Sequence, residues 1–366
     1  MDGIGERVAE LRRARGLTQD GLALRMHRSV SWVSKVEQGK RRVENVRTLT
    51  ELAAALGVTL AELRTDFAEP SRADLLRALR RALTVSRPDA EPGDIANDVH
   101  VLGDAWFGDG DRATLGDLVP DVVLRARATG GAGIVGSACM IAGSLARRLG
   151  EPDLQWIAGH RALEAAADDV SDAWARYRLA LRALQLGEVE EARILTDERP
   201  RPATAASAAA GGSLALTGAI AAVRDSDRTT ADALLAEATV RAERAGEADV
   251  LWSGFGPANV DLHRVAVELE ELQAGAALEI SRRVLPSALP SAERRYAHRV
   301  GLAQACVMLR EDTDAVRHLL AAEQIDADAL AHDVCARELV GAMLRRKGRR
   351  PSGLPRLATR LGVTSS

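Results

Sequence analysis

The sequence predicts an all-α protein, and three observations carry that prediction. Aromatic residues make up only 3% of the 366 residues while 46% are hydrophobic, so Ala and Leu supply most of the packing, a composition that favours helix over strand. Apolar residues near the N-terminus recur at helical spacing and stop at glycines. Further along, polar turns interrupt Ala/Leu-rich stretches about every 37 to 40 residues.

The first element follows from Ile4, Val8 and Leu11, which share a helix face and end at Gly16, a glycine C-cap. Thr18 then caps a second helix, with Gln19 and Asp20 in its first turn and Leu22, Ala23 and Met26 directed inward. Ser29 caps a third that sends Val33 and Val36 to the core and ends at Gly39. Two short helices joined by a three- or four-residue turn make a helix-turn-helix, with Ala23 small enough for a close crossing.

Val30, Ser31, Ser34 and Lys35 are then left facing outward. A helix that enters a major groove needs short side chains at its N-terminal end and a longer donor further along. Lys35 can donate to guanine, Ser31 and Ser34 can reach base edges or phosphates, and Val30 can meet a thymine methyl. Gln19 sits where a helix N-terminus attracts a phosphate. Lys40, Arg41 and Arg42 follow the recognition helix and would hold the flanking backbone. Arg28 and Ser29, at the entry to that helix, complete the candidate DNA-contacting set together with Trp32. The indole has two readings, a wedge against the sugar-phosphate strand or a cover for the domain's own core.

Charge agrees with this placement. The net charge of −3 divides into +3 over residues 1–66 and −6 over the remainder, and residues 25–47 carry seven Lys/Arg against Glu37 and Glu44.

The run "LTQDGLALRMHRSVSWVSKVEQGKRRVENVRTLTELAAALGVTLAEL" resembles the phage repressor and Cro type of helix-turn-helix, the XRE family. The matching positions are Leu17, Thr18 and Gln19, Ala23, Ser29, and Glu37, Gly39 and Lys40, with Leu49, Leu52, Ala53 and Leu56 as the core of the closing helices. The resemblance implies a five-helix domain that contacts double-stranded DNA through Gln19, Val30, Ser31 and Lys35. This chain departs from the family at the turn, where His27 stands for the usual Gly and Arg28 for an apolar residue.

The domain is expected to end near residue 66, with a linker and connecting helix over 67–90 and a helical solenoid over 91–366. Breaks at Gly150, Gly187, Ser226, Gln273 and Arg310 mark helix-turn-helix units. Ala192 lies five positions after Gly187, Ala162 twelve after Gly150, and Ala315 and Ala322 five and twelve after Arg310; these offsets resemble the tetratricopeptide repeat (TPR), in degenerate form. The element "WSGFGPANVDLHRVAVELE" interrupts the array. An XRE module followed by such an array is similar to a widespread class of regulators in GC-rich Gram-positive bacteria. In domain order it also resembles peptide-sensing quorum regulators.

Positions on the concave face, read from their offset to each turn, are Met140, Ser144 and Arg147; Trp174, Tyr177, Leu181 and Gln185; Asn259 and Leu262; and Val300, Gln304 and Met308. Met140, Arg147, Trp174, Tyr177, Asn259 and Gln304 are the candidate contacts for a peptide or small-molecule effector. The competing reading places the aromatics in the repeat core.

No catalytic set is expected. The histidines are scattered without an HExxH, "GGAGIVG" lacks the strand and Lys-Ser/Thr exit of a phosphate loop and reads as the start of a helix, and "RRKGRR" reads as the solvated end of a final helix. Cys139, Cys306 and Cys335 have no disulfide or zinc spacing, so no metal or cofactor is expected. No secretory leader is visible and no apolar run approaches a bilayer span, which suggests a cytoplasmic protein without a membrane partner. The expectation is a homodimeric, sequence-specific transcription regulator. Its rival is an interaction scaffold whose helix-turn-helix no longer reads DNA.

Overall fold

The structure is a computed structural model that describes residues 3–41, 43, 46–58, 60–63, 71–85, 94–108, 115–246, 252–289, 291–348 and 350–364. Among these residues there is no strand, and the protein is all-α. By its internal contacts the chain divides into two units, residues 1–134 and 135–366.

The first unit opens with the five helices of the helix-turn-helix domain: α1 (Gly3–Ala14), α2 (Gln19–Arg25), α3 (Val30–Glu37), α4 (Val46–Leu56) and α5 (Leu60–Leu63). Thr18 and Ser29 cap α2 and α3 as the sequence indicates, their hydroxyls accepting from the backbone N–H of Gly21 and Trp32 at 3.0 and 3.2 Å. Val8, Leu22, Val33, Val36, Leu49, Leu52 and Leu56 are buried together. α1 and α3 approach so closely at Gly5 that a Cβ there would overlap the Val36 carbonyl. The same unit contains α6 (Arg72–Thr84), α7 (Ile95–Phe107) and α8 (Val119–Thr129), and α7 packs on α4. Within that group Arg125 donates to the buried Asp98 at 2.8 Å.

The second unit is a TPR-like array. Its helices are α9 (Ala132–Arg148), α10 (Pro152–Glu164), α11 (Asp169–Leu186), α12 (Val189–Asp197), α13 (Ala205–Arg224), α14 (Arg228–Ala245), α15 (Pro257–Glu270), α16 (Ala274–Ser281), α17 (Ala292–Met308), α18 (Asp312–Ile325), α19 (Ala327–His332), α20 (Val334–Leu344) and α21 (Leu354–Leu361). α11, α13, α15, α17 and α20 stack on one another as an inner layer, while α12, α14, α16 and α18 pack along them as an outer one.

Five of the interhelical turns are built alike, around a left-handed residue at Gly150, Gly187, Ser226, Leu272 or Arg310. In each, the next residue's N–H reaches back five positions to a helix carbonyl, as in Glu188 to Ala183 and Glu311 to Cys306. Four of the five expected breaks fall on the left-handed residue itself, and the fourth in order lies at Leu272, one before the expected Gln273.

Two expectations are corrected. α13 is long and apolar enough to cross a bilayer by length and composition, yet 89% of its apolar window is buried in the array, so it is a core helix rich in Ala and Gly. The basic run after α20 does not close the last helix, because α21 follows it. Arg346 of that run is tied down, donating to the Val307 carbonyl at 2.6 Å and pairing with Asp312.

Candidate DNA-reading face and a cavity in the array

α3 is fixed from below by one buried carboxylate. Arg12 of α1 donates from Nε and Nη2 to Glu37 at 2.6 and 3.0 Å, Gln19 of α2 donates to the same carboxylate at 2.8 Å, and Arg12 Nη1 reaches the Leu17 carbonyl at 2.7 Å. Burial opposes ionisation of Glu37, but the hydrogen bonds from Arg12 and Gln19 and the nearby positive charge outweigh it, and its pKa lies below the ordinary value. Gln19 thus commits one of its two amide hydrogens to this pin.

Above the pin, Val30, Ser31 and Lys35 are exposed, while Val33 and Val36 are buried beneath them. Ser34 is half-buried and its hydroxyl accepts from Gln38 at 3.0 Å; the Ser29 hydroxyl is used as the helix cap. Trp32 is half-buried. The guanidinium groups of Arg28 and Arg41 lie over its ring at 5.8 and 5.9 Å from the centroid.

Glu51 draws Arg47 to 2.7 Å and Arg28 to 3.6 Å, which neutralises part of the basic stripe. Among the described residues no carboxylate pairs with Lys35, Lys40 or Arg41. Arg42 lies outside the described residues. The turn before α3 is closed by His27 in the left-handed region, φ 51°, with Arg28 N–H bonded to the Ala23 carbonyl at 2.9 Å. His27 thus takes up the left-handed conformation that glycine adopts most easily.

The array forms a partly open cavity of about 390 Å³. Of the expected concave-face residues, Met140, Ser144, Arg147, Leu181, Gln185, Leu262, Val300 and Gln304 line it. Trp174, Tyr177 and Asn259 do not: each is about 2% exposed and belongs to the repeat core, where Trp174 and Tyr177 meet edge to face at 5.8 Å. On α11, Leu181 and Gln185 face the cavity as expected and Arg178 and Arg182 join them there, while Trp174 and Tyr177 turn to the repeat core. Tyr177 still touches the lining, because Arg294 donates to its hydroxyl at 2.9 Å. Met308 is also outside the lining. Sequence reasoning missed Arg178, Arg182, His263, Arg294 and His298; spacing from Gln304 back to Val300, Ala297 and Arg294 was the available signal.

Two ion-pair sites draw the ends of the array together around this cavity. Arg147 meets Glu293 at 3.1 Å, and Arg148 meets Asp326 and Asp328 at 3.2 and 3.0 Å.

The model of the helix-turn-helix domain matches residues 4–65. The HTH-type transcriptional regulator y4dJ of Sinorhizobium fredii is 45% identical over 62 residues, which are 17% of this chain and 79% of that protein. This chain belongs to the helix-turn-helix transcriptional regulators. A second relative, the HTH-type regulator RghRB of Bacillus subtilis, is 41% identical over 63 residues, spanning 17% of this chain and 45% of its own length. Each match spans only 17% of the regulator. Over 99% of the regulator and 96% of its counterpart, a point mutant of PrgX aligns at 10% identity with a TM-score of 0.29. ComR from S. thermophilus, in complex with DNA and its signalling peptide ComS, aligns over 90% of the regulator and 99% of its own chain at 11% identity with a TM-score of 0.26. Likeness at that level transfers neither fold nor ligand.

Proposed function

We propose that this DNA-binding transcriptional regulator reads a specific operator through α3 as a cytoplasmic homodimer, and that the array serves dimerisation and receives a peptide or small-molecule effector in its cavity. The observation that carries the reading is the exposed row of Val30, Ser31 and Lys35 over a helix pinned by Glu37. Lys35 donates to a guanine edge. Ser31 and Val30 make the short-range contacts, and Arg28, Ser29, Trp32, Ser34, Lys40, Arg41 and Arg42 follow the phosphates, with Gln19 at the flanking helix N-terminus. Two such helices in a dimer meet half-sites about 10 base pairs apart. An effector acts only if it binds one spacing of the two helices more tightly than another.

The test selects binding sites from random duplexes with the full chain and measures affinity by fluorescence anisotropy across a salt series. The expected result is a two-fold-related consensus, a steep linear fall of log affinity with log salt, and loss of about 1–3 kcal/mol of discrimination at one base pair in Lys35→Ala. Selection that returns no consensus overturns operator reading and favours the scaffold.

A further inference from the structure

The cavity in the array is rich in charge. Four guanidinium groups face it, Arg147, Arg178, Arg182 and Arg294, with three carboxylates, Glu270, Glu293 and Asp333. Glu293 is engaged by Arg147 at 3.1 Å, and Glu270 by Arg224, which lies outside the lining, at 2.5 Å. Asp333 accepts from the Tyr296 hydroxyl at 2.7 Å. None of the three pairs with Arg182.

Arg182 is the decisive cation. It is 9% exposed, its Nη1 reaches only the neutral Gln185 amide oxygen, at 3.2 Å, and its Nε has no hydrogen-bond partner among the described residues. No described carboxylate lies within ion-pair distance of it; burial lowers its pKa, against the more distant Asp153 and Glu188. His298 also faces the cavity, 5% exposed, with Nε2 unpartnered among the described residues. Burial, with Arg299 and His318 nearby, pushes its pKa down to about 4, so the ring is neutral and can bond a polar atom. The rest of the wall is largely apolar, with Met140, Leu181, Leu262 and Val300, and Gly143, Gly159 and Gly301 leave the space open.

A guanidinium held out of water without a counter-ion is destabilising, and its fork is shaped to take a carboxylate through two parallel hydrogen bonds. About 390 Å³ lies at the small end of the range for small-molecule sites, and the Arg147–Glu293 and Arg148–Asp326 pairs draw the walls together. We propose that the cavity binds a small organic carboxylate, its apolar body between Met140, Leu181, Leu262 and Val300, its carboxylate on Arg182 and a second polar atom on His298. The assignment rests on the reading of this cavity as the effector site. A free small acid and the C-terminus of a very short apolar peptide share this chemistry.

The experiment uses the full chain, thermal unfolding and calorimetric titration. The probes are 4-phenylbutyrate, octanoate, indole-3-acetate and N-acetyl-Leu-Leu, each against its neutral amide. At least one acid should raise the melting temperature saturably and bind tenfold or more tightly than its amide. Arg182→Met should erase that preference and Arg182→Lys should keep part of it, with the circular dichroism of each variant unchanged. If Arg182→Met does not fold, Gly301→Leu serves instead: a Cβ at Gly301 meets Leu269 at an ordinary 3.7 Å, and the larger side chain fills the cavity and should abolish binding. Preference for N-acetyl-Leu-Leu identifies a peptide terminus, and preference for the other acids a free small molecule. Equal binding of acids and amides, no binding by any acid, or an intact acid preference in Arg182→Met overturns the proposal. Operator binding is measured on the same preparations. Failure of acid selectivity with intact operator binding rejects the ligand class alone, and absence of operator binding rejects the regulator reading alone.

Discussion

Glu37 ties three helices through one carboxylate, and its consequences for stability follow from its protonation. Removing the charge leaves Arg12 buried without its partner, so Glu37→Gln should lower unfolding stability by about 3 kcal/mol in urea titration. The pKa of Glu37 is depressed in the folded state, so the contribution is full above the ordinary value of 4.5 and is lost as pH falls through the lower, folded value. Wild type and variant should therefore differ by a constant amount at neutral pH and converge in acid. In the sequence Glu37 is legible only as part of an exit motif. Its partners Arg12 and Gln19 lie 25 and 18 positions away, a distance over which no local pattern indicates pairing. His27 is different, because a helix that stops one residue earlier needs a left-handed turn at that point whatever residue stands there.

At the scale of elements, helix starts and stops were the most readable features. Caps and left-handed C-terminal residues act within five positions, so Thr18, Ser29, Gly150 and Gly187 announce themselves. Ser226, Leu272 and Arg310 fill the same conformation without glycine, and there only the interruption of the apolar pattern marked the turn. Interhelical fit was not readable. The glycines of α13 look like weak helix formers, yet a Cβ at Gly212 would overlap the ring of Phe255 and one at Gly211 the Arg241 guanidinium. Gly212→Ala should accordingly lower the melting temperature, at a cost of about 1–3 kcal/mol from overpacking. Gly275→Ala in α16 meets nothing within 4 Å and should instead stabilise by up to about 1 kcal/mol. Differential scanning calorimetry of both variants separates close packing from helix propensity.

At the scale of the whole molecule, what matters is that residues far apart in the chain close the array. Arg148 and Asp326 are both largely buried and pair across 178 positions. Asp326 also caps α19 by accepting from the Ala329 N–H at 2.9 Å, a role that Asn can keep. Asp326→Asn should therefore remove the ion pair and spare the cap. Since Asp328 remains as a second partner, the loss should fall short of the roughly 3–5 kcal/mol typical of a broken buried pair. Hydrogen exchange should accelerate in α9 and α19 and stay unchanged in α1 to α5; no change in α9 contradicts closure.

The sequence by itself determined the all-α class, the N-terminal helix-turn-helix with its exposed Val30, Ser31 and Lys35, and the positions of the array's turns, because periodicity, capping and turn chemistry operate over a few residues. Only the tertiary structure decided that Arg178 and Arg182 face the cavity while Trp174 and Tyr177 fill the core, and that Arg182 stands there without a counter-ion. Neighbouring residues of a helix point about 100° apart, and which of them face inward on α11 is set by how it packs against α10, α12 and α13.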